Sequence, residues 1–165
     1  MEADSLRSSP VPPLRDDDHV RGAGPLVLFY ADFTCPRCTV AWERLRGARV
    51  QLVFRHLALR AKHPRAVALA HAVEAAGRQG RFWELAEALY ADHAHTDDPH
   101  LWAHGERLGL DAGRWAQDRR SEAVAARVAG DVRDALRAGA VATPTLFAGA
   151  QMLAGPPDAA WLGAL

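Results

Sequence analysis

Leu26-Val27-Leu28-Phe29-Tyr30-Ala31-Asp32-Phe33-Thr34-Cys35-Pro36-Arg37-Cys38 is the stretch on which the fold turns. Its first five residues form a continuous apolar run after Gly24-Pro25, which fits a strand buried on both faces better than a helix of that length. Thr39-Val40-Ala41-Trp42-Glu43-Arg44-Leu45-Arg46, ending at Gly47, reads as a short helix with a glycine stop. Val50-Gln51-Leu52-Val53-Phe54-Arg55-His56-Leu57 then returns to β-branched and aromatic character. Strand, helix and strand in this order predict a parallel pair joined by a right-handed crossover.

From Pro64 the hydrophobic period becomes helical. Ala66, Leu69, Ala70, Val73 and Ala76 mark one helix, and Phe82, Leu85, Ala86 and Leu89 a second. Asp98 before Pro99 is the expected N-cap of a third, Asp111 of a fourth and Ser121 of a fifth. Val124, Val128, Val132, Ala135 and Leu136 make that last helix's inward stripe. Afterwards Pro144-Thr145-Leu146-Phe147-Ala148 and Gln151-Met152-Leu153 flank a turn at Gly149-Ala150 and predict a hairpin, with Asp158 capping a closing helix. The expected organisation is α/β, βαβ followed by ββα, with a helical insertion at about 62–138. Residues 20–165 form a single domain in this reading, and the Pro- and Asp-rich residues 1–19 a flexible solvated tail.

A chain of 165 residues with 49% hydrophobic composition can build one core. Its twenty basic and twenty acidic residues cancel, so no summed positive field exists to hold nucleic acid or an anionic membrane. Lys62 is the single lysine, which argues against Schiff-base chemistry. No apolar run approaches a membrane span, and the first twenty residues lack a secretory stretch, so the expected location is cytoplasmic. In a reducing compartment two close cysteines suggest redox or metal chemistry.

Pro36 suits the first helical position, which makes Cys35 the N-cap and Cys38 the third helical residue. An N-cap sulfur would accept a hydrogen bond from the orphan N–H groups at the positive end of the helix dipole, and the Arg37 guanidinium would add a positive charge. Both favour a thiolate, so Cys35 is expected to be reactive at neutral pH. One helical turn brings the two sulfurs within disulfide range, and Pro36 and Arg37 between them should tune the potential. A lone C-x-x-C is also half of a zinc site or plain core packing, but no second C-x-x-C exists.

Four histidines, His93, His95, His100 and His104, are dense, and His100 and His104 lie four apart on the third helix of the insertion. The inward stripe of that helix is Leu101, Gly105 and Leu108, so the histidines are expected to face solvent and hold no specific metal. His56, near the end of the second strand, reads as a hydrogen-bonded structural histidine.

The residues from Phe29 to Cys38 resemble the strand-to-motif junction of DsbA-like thioredoxin-fold thiol-disulfide oxidoreductases. Phe54-Arg55-His56-Leu57 is similar to that family's next strand, and Val141-Ala142-Thr143-Pro144-Thr145-Leu146-Phe147 to its segment carrying a cis-proline. The resemblance implies a thioredoxin-like sheet, Cys35 as the exposed attacking thiol, Cys38 as the resolving thiol and Pro144 beside them. It also implies that the Thr143 backbone pairs with an extended substrate segment. The substrates implied are protein or glutathione-like thiols and disulfides, with a further redox partner and no cofactor. Relatives commonly carry an acid six positions before the first cysteine, where this chain has Phe29. Asp32 is the nearest carboxylate and reads either as a strand-end surface residue or as a proton relay. A rival from another class is a metal-binding or peptide-binding module on the same fold, without turnover.

Overall fold

A computed structural model describes residues 11–165. Five strands, β1 (His19–Arg21), β2 (Leu26–Ala31), β3 (Gln51–His56), β4 (Thr145–Ala148) and β5 (Gln151–Ala154), form one mixed sheet in the order β1-β3-β2-β4-β5. Strands β2 (Leu26–Ala31) and β3 (Gln51–His56) are parallel and are joined through helix α1 (Pro36–Arg46). The hairpin β4 (Thr145–Ala148) and β5 (Gln151–Ala154) lies antiparallel on the other side of β2. Alternate residues of β2 enter two cores, as the strand period requires. Val27, Phe29 and Ala31 meet Trp42, Tyr90 and the insertion helices, whereas Leu28 and Tyr30 meet Phe147, Ala135 and Ala138. Each large apolar side chain sealed in this way stabilises the fold by about 1.5–3 kcal/mol.

The insertion has the expected five helices, α2 (Ala66–Gly77), α3 (Phe82–Ala91), α4 (Asp98–Arg107), α5 (Ala112–Asp118) and α6 (Glu122–Arg137). Asp111 and Ser121 cap α5 and α6, accepting from the N–H of Arg114 at 2.8 Å and of Val124 at 3.2 Å. The cap of α4 is Asp97 and not Asp98, because Asp97 accepts the His100 N–H at 3.1 Å. The inward stripe of α6 also differs from expectation. Leu136 is 48% exposed, and the inward position is taken by Asp131, fully buried. Asp158 accepts from the Trp161 N–H at 2.8 Å and starts α7 (Ala159–Gly163).

The expected tail needs correction where it is described. Residues 1–10 lie outside the described residues, but His19–Arg21 is strand β1, antiparallel to β3 with His19 opposite Phe54. The segment before it is held by Arg55, a fully buried arginine of β3. Arg55 Nε donates to Asp18 Oδ1 at 2.8 Å, Nη2 donates to Asp18 Oδ2 and to the Pro13 carbonyl at 2.6 Å each, and Nη1 donates to the Tyr30 hydroxyl at 2.9 Å. Arg15 adds bonds to Asp131 and, at 3.1 Å, to Asp134 on α6. An acidic run that looks solvated in isolation thus supplies the partner of a buried cation, which is why the segment does not float free.

Candidate functional site

The turn that leaves β2 sets the site. Asp32 Oδ1 accepts from the Thr34 N–H and the Thr34 hydroxyl, both at 2.7 Å, and the Asp32 carbonyl accepts the Cys35 N–H at 3.4 Å. Pro36 then opens α1, needing no N–H partner, while the Cys35 carbonyl accepts from Cys38 at 3.0 Å and Thr39 at 3.2 Å. Cys35 is 5% exposed and Cys38 is sealed completely, so the first cysteine is the more accessible but is not the open thiol expected of it. What covers it is the segment before β4. The Thr143–Pro144 peptide is cis, and the Thr143 carbonyl lies 3.6 Å from Cys35 Sγ, accepting from the thiol.

The two sulfurs have opposite proton affinities. The Cys35 thiol is lowered to about 5, chiefly by a hydrogen bond from the Cys38 thiol, against the opposing effect of burial, with help from the Thr143 side chain and the N–H groups of Cys38 and Arg37. The expected N-cap hydrogen bond to the Cys35 side chain is not formed. The first-turn amides therefore act on the sulfur as oriented dipoles, outside hydrogen-bond geometry. Burial and the charge of Cys35 push the Cys38 thiol well above the ordinary range. Asp32 is also raised by burial. The Tyr90 hydroxyl donates to the Asp32 carbonyl at 3.3 Å and, fully buried among these groups, holds its proton far more tightly than a free phenol.

Residues 26–163 match the DSBA-like thioredoxin domain family. The chain belongs to that family. Among solved structures, this DSBA-like domain is similar to a thioredoxin-like oxidoreductase from Silicibacter pomeroyi, with TM-score 0.82, 22% identity and coverage of 91% of this chain and 90% of that one. It is also similar to DsbA2 of Pseudomonas aeruginosa, with TM-score 0.73, 26% identity and coverage of 92% and 94%. A curated relative, Na(+)/H(+) antiporter NhaA 1 of Mycolicibacterium vanbaalenii, is 40% identical over 93% of this chain. The match takes in 26% of that relative, so the DSBA-like domain spans about a quarter of its length. Among the described residues no helix is long and apolar enough to cross a membrane.

The other residues singled out in the sequence fall into two groups. Pro36, Arg37, Thr143 and Pro144 of the DSBA-like domain converge on the cysteines. Arg37 contributes its main-chain N–H, which is among the groups that lower Cys35, while its exposed guanidinium packs against Gly155. Gly155, at φ +115, closes this corner by donating its N–H to the Pro144 carbonyl at 2.8 Å, and a Cβ there would stand 2.5 Å from Arg37 Nη2. His56, His100 and His104 lie elsewhere. His56 is a buried structural residue whose Nε2 meets Glu74 Oε2 at 2.9 Å. His100 stacks on His95 at 4.4 Å, but His104 is buried, against the expectation of a solvent face, with Nδ1 accepting from Arg107 at 2.6 Å. Among the described residues no three His, Cys, Asp or Glu side chains are placed to hold a metal.

Sequence reasoning passed over Tyr90 and Gly155. Tyr90 follows Ala86 by one helical turn and could have been read as part of the α3 stripe. Gly155 stands between Ala154 and Pro156-Pro157, a turn signal that says nothing about which side chain needs the space.

Proposed function

We propose that this chain is a thiol-disulfide oxidoreductase in which Cys35 attacks a substrate disulfide and Cys38 resolves the mixed disulfide. The observation that carries the reading is the split between the two sulfurs, Cys35 lowered to about 5 and Cys38 held protonated behind it. A thiolate is the attacking species in exchange, so Cys35 is suited to enter the mixed disulfide. Cys38 then strikes Cys35 Sγ and the substrate sulfur is the leaving group. The Thr143 carbonyl at 3.6 Å supports a docking mode in which substrate backbone lies along residues 143–145 and brings its sulfur to Cys35. Protein disulfides and small disulfides of the glutathione kind both meet these requirements.

Reduction of insulin disulfides by dithiothreitol, with and without the protein, tests the proposal. Wild type should accelerate the reaction and Cys35→Ser should not. Equal rates for the two would remove the enzymatic reading and leave a binding module.

A further inference from the structure

Resolution of a mixed disulfide requires Cys38 to lose a proton, yet its sulfur is sealed from water and holds that proton firmly. Phe29, six residues before Cys35, offers no acceptor, since it is fully buried edge-to-face with Phe54 at a centroid distance of 5.6 Å. Asp32 is different. The residue is 2% exposed, and its Oδ1 is saturated by the two donors of Thr34. Its Oδ2 is buried with no hydrogen-bond partner among the described residues. A carboxylate oxygen left without a donor in this way costs stability.

The surroundings of Asp32 suggest a use for that oxygen. Its backbone N–H bears on the Cys38 sulfur and its charge raises the Cys38 thiol, while the charge of Cys35 raises Asp32 in turn. The groups around the carboxyl are Cys35 and Cys38 of α1, His63 of the loop after β3 and Tyr90 of α3. Tyr90 keeps its proton and closes the side of the carbonyl. His63 opposes the effect of burial on Asp32.

We propose that the Asp32 carboxylate, through Oδ2, takes the proton of Cys38 during resolution, directly or across one water. The inference rests on the exchange reading of this site. Cys38 gives its proton to Asp32 and its electron pair to Cys35 Sγ, the bond between Cys35 and the substrate sulfur breaks, and the substrate departs as a thiolate. The proton on Asp32 then passes to solvent or to that thiolate. In the reverse direction protonated Asp32 returns the proton to Cys38 as the internal disulfide opens. An acid whose proton affinity is raised by burial is better matched to this duty at neutral pH than a solvated one.

Rapid mixing of reduced protein with oxidised glutathione, followed by acid quench and mass spectrometry, resolves the two steps. In wild type, release of the second glutathione should be nearly independent of pH between about 6 and 8. Asp32→Asn keeps an acceptor for Thr34, so it should form the Cys35-glutathione adduct normally. It should resolve that adduct about 10²-fold more slowly near pH 7, with a rate climbing about tenfold per pH unit. Asp32→Glu should restore most of the wild-type rate and its flat profile. Unchanged resolution in Asp32→Asn would overturn the assignment, as would a wild-type rate that itself rises tenfold per unit over that range, a result needing no variant. Absence of any glutathione adduct on wild-type Cys35 would instead overturn the exchange reading beneath it.

Discussion

Two groups of buried polar side chains lie at the same end of β2, and they are finished to different degrees. Around Arg55, on one side, every guanidinium nitrogen has an acceptor, and Asp18, Pro13 and Tyr30 close the set. Around Cys38, on the other, Asp32 Oδ2 has no hydrogen-bond partner among the described residues and one sulfur holds a proton that the other has been arranged to lose. Both cost desolvation. The first recovers it in fixed geometry and fastens the N-terminal segment to the sheet. The second leaves part of it unrecovered, which is the condition under which a proton or a sulfur-sulfur bond can move.

The difference can be broken most severely at Asp18. Asp18→Asn leaves Arg55 as a buried charge lacking its counter-ion and should cost about 3–5 kcal/mol in urea unfolding, with Cys35 reactivity unaltered. The Asp18 carboxyl is lowered by Arg55 and Arg15 despite burial. Its contribution is therefore present above the ordinary carboxylate range near 3.8 and fades as pH falls through the still lower folded value, so the variant and wild type should converge in acid. If Asp18→Asn instead slowed exchange at constant stability, the two groups would not be separate.

A smaller effect belongs to the corner where Arg37 rests. Gly155→Ala places a side chain at φ +115 and against Arg37 Nη2, and it should cost about 1–3 kcal/mol in thermal unfolding while loosening the cover over Cys35. The wild-type site also makes its own pH prediction. Iodoacetamide capture of Cys35 should rise about tenfold from pH 4 to pH 7 and be half-maximal at about pH 5, because the thiolate is the reactive form. A midpoint in the ordinary thiol range would erase the contrast between the sulfurs. Leu136→Glu, on the exposed flank of α6, should change stability by no more than about 0.5 kcal/mol. A large loss there would restore the apolar stripe read from the sequence.

The features readable in advance were those enforced by short-range rules. The apolar run of β2, Pro36 at the start of α1 and the side-chain caps at Asp111, Ser121 and Asp158 each depend on a few neighbouring residues. Strand β1 escaped because His19-Val20-Arg21 is too short to show a period and becomes a strand only by lying on β3. Asp131 escaped for a related reason. An aspartate in an apolar stripe reads as its solvent edge, unless a β3 backbone N–H is known to need an acceptor, and His56 N donates to it at 2.9 Å. In the site, the cysteines and Pro144 stood out as motifs. The burial of Asp32, the inward turn of His104 and the resting place of Arg37 are set by packing across long sequence separations, to which local pattern is blind.

Cys35 and the Thr143 carbonyl that covers it are separated by 108 positions. At ribosomal rates of about 5–20 residues per second, the thiols therefore emerge roughly 5–20 s before their cover does. Throughout that interval a nascent chain would display both sulfurs with neither the shielding nor the full proton-affinity split of the finished domain. Whatever oxidants or chaperones meet the growing polypeptide encounter a dithiol without its cover, and the covered one comes into being only with the last hairpin.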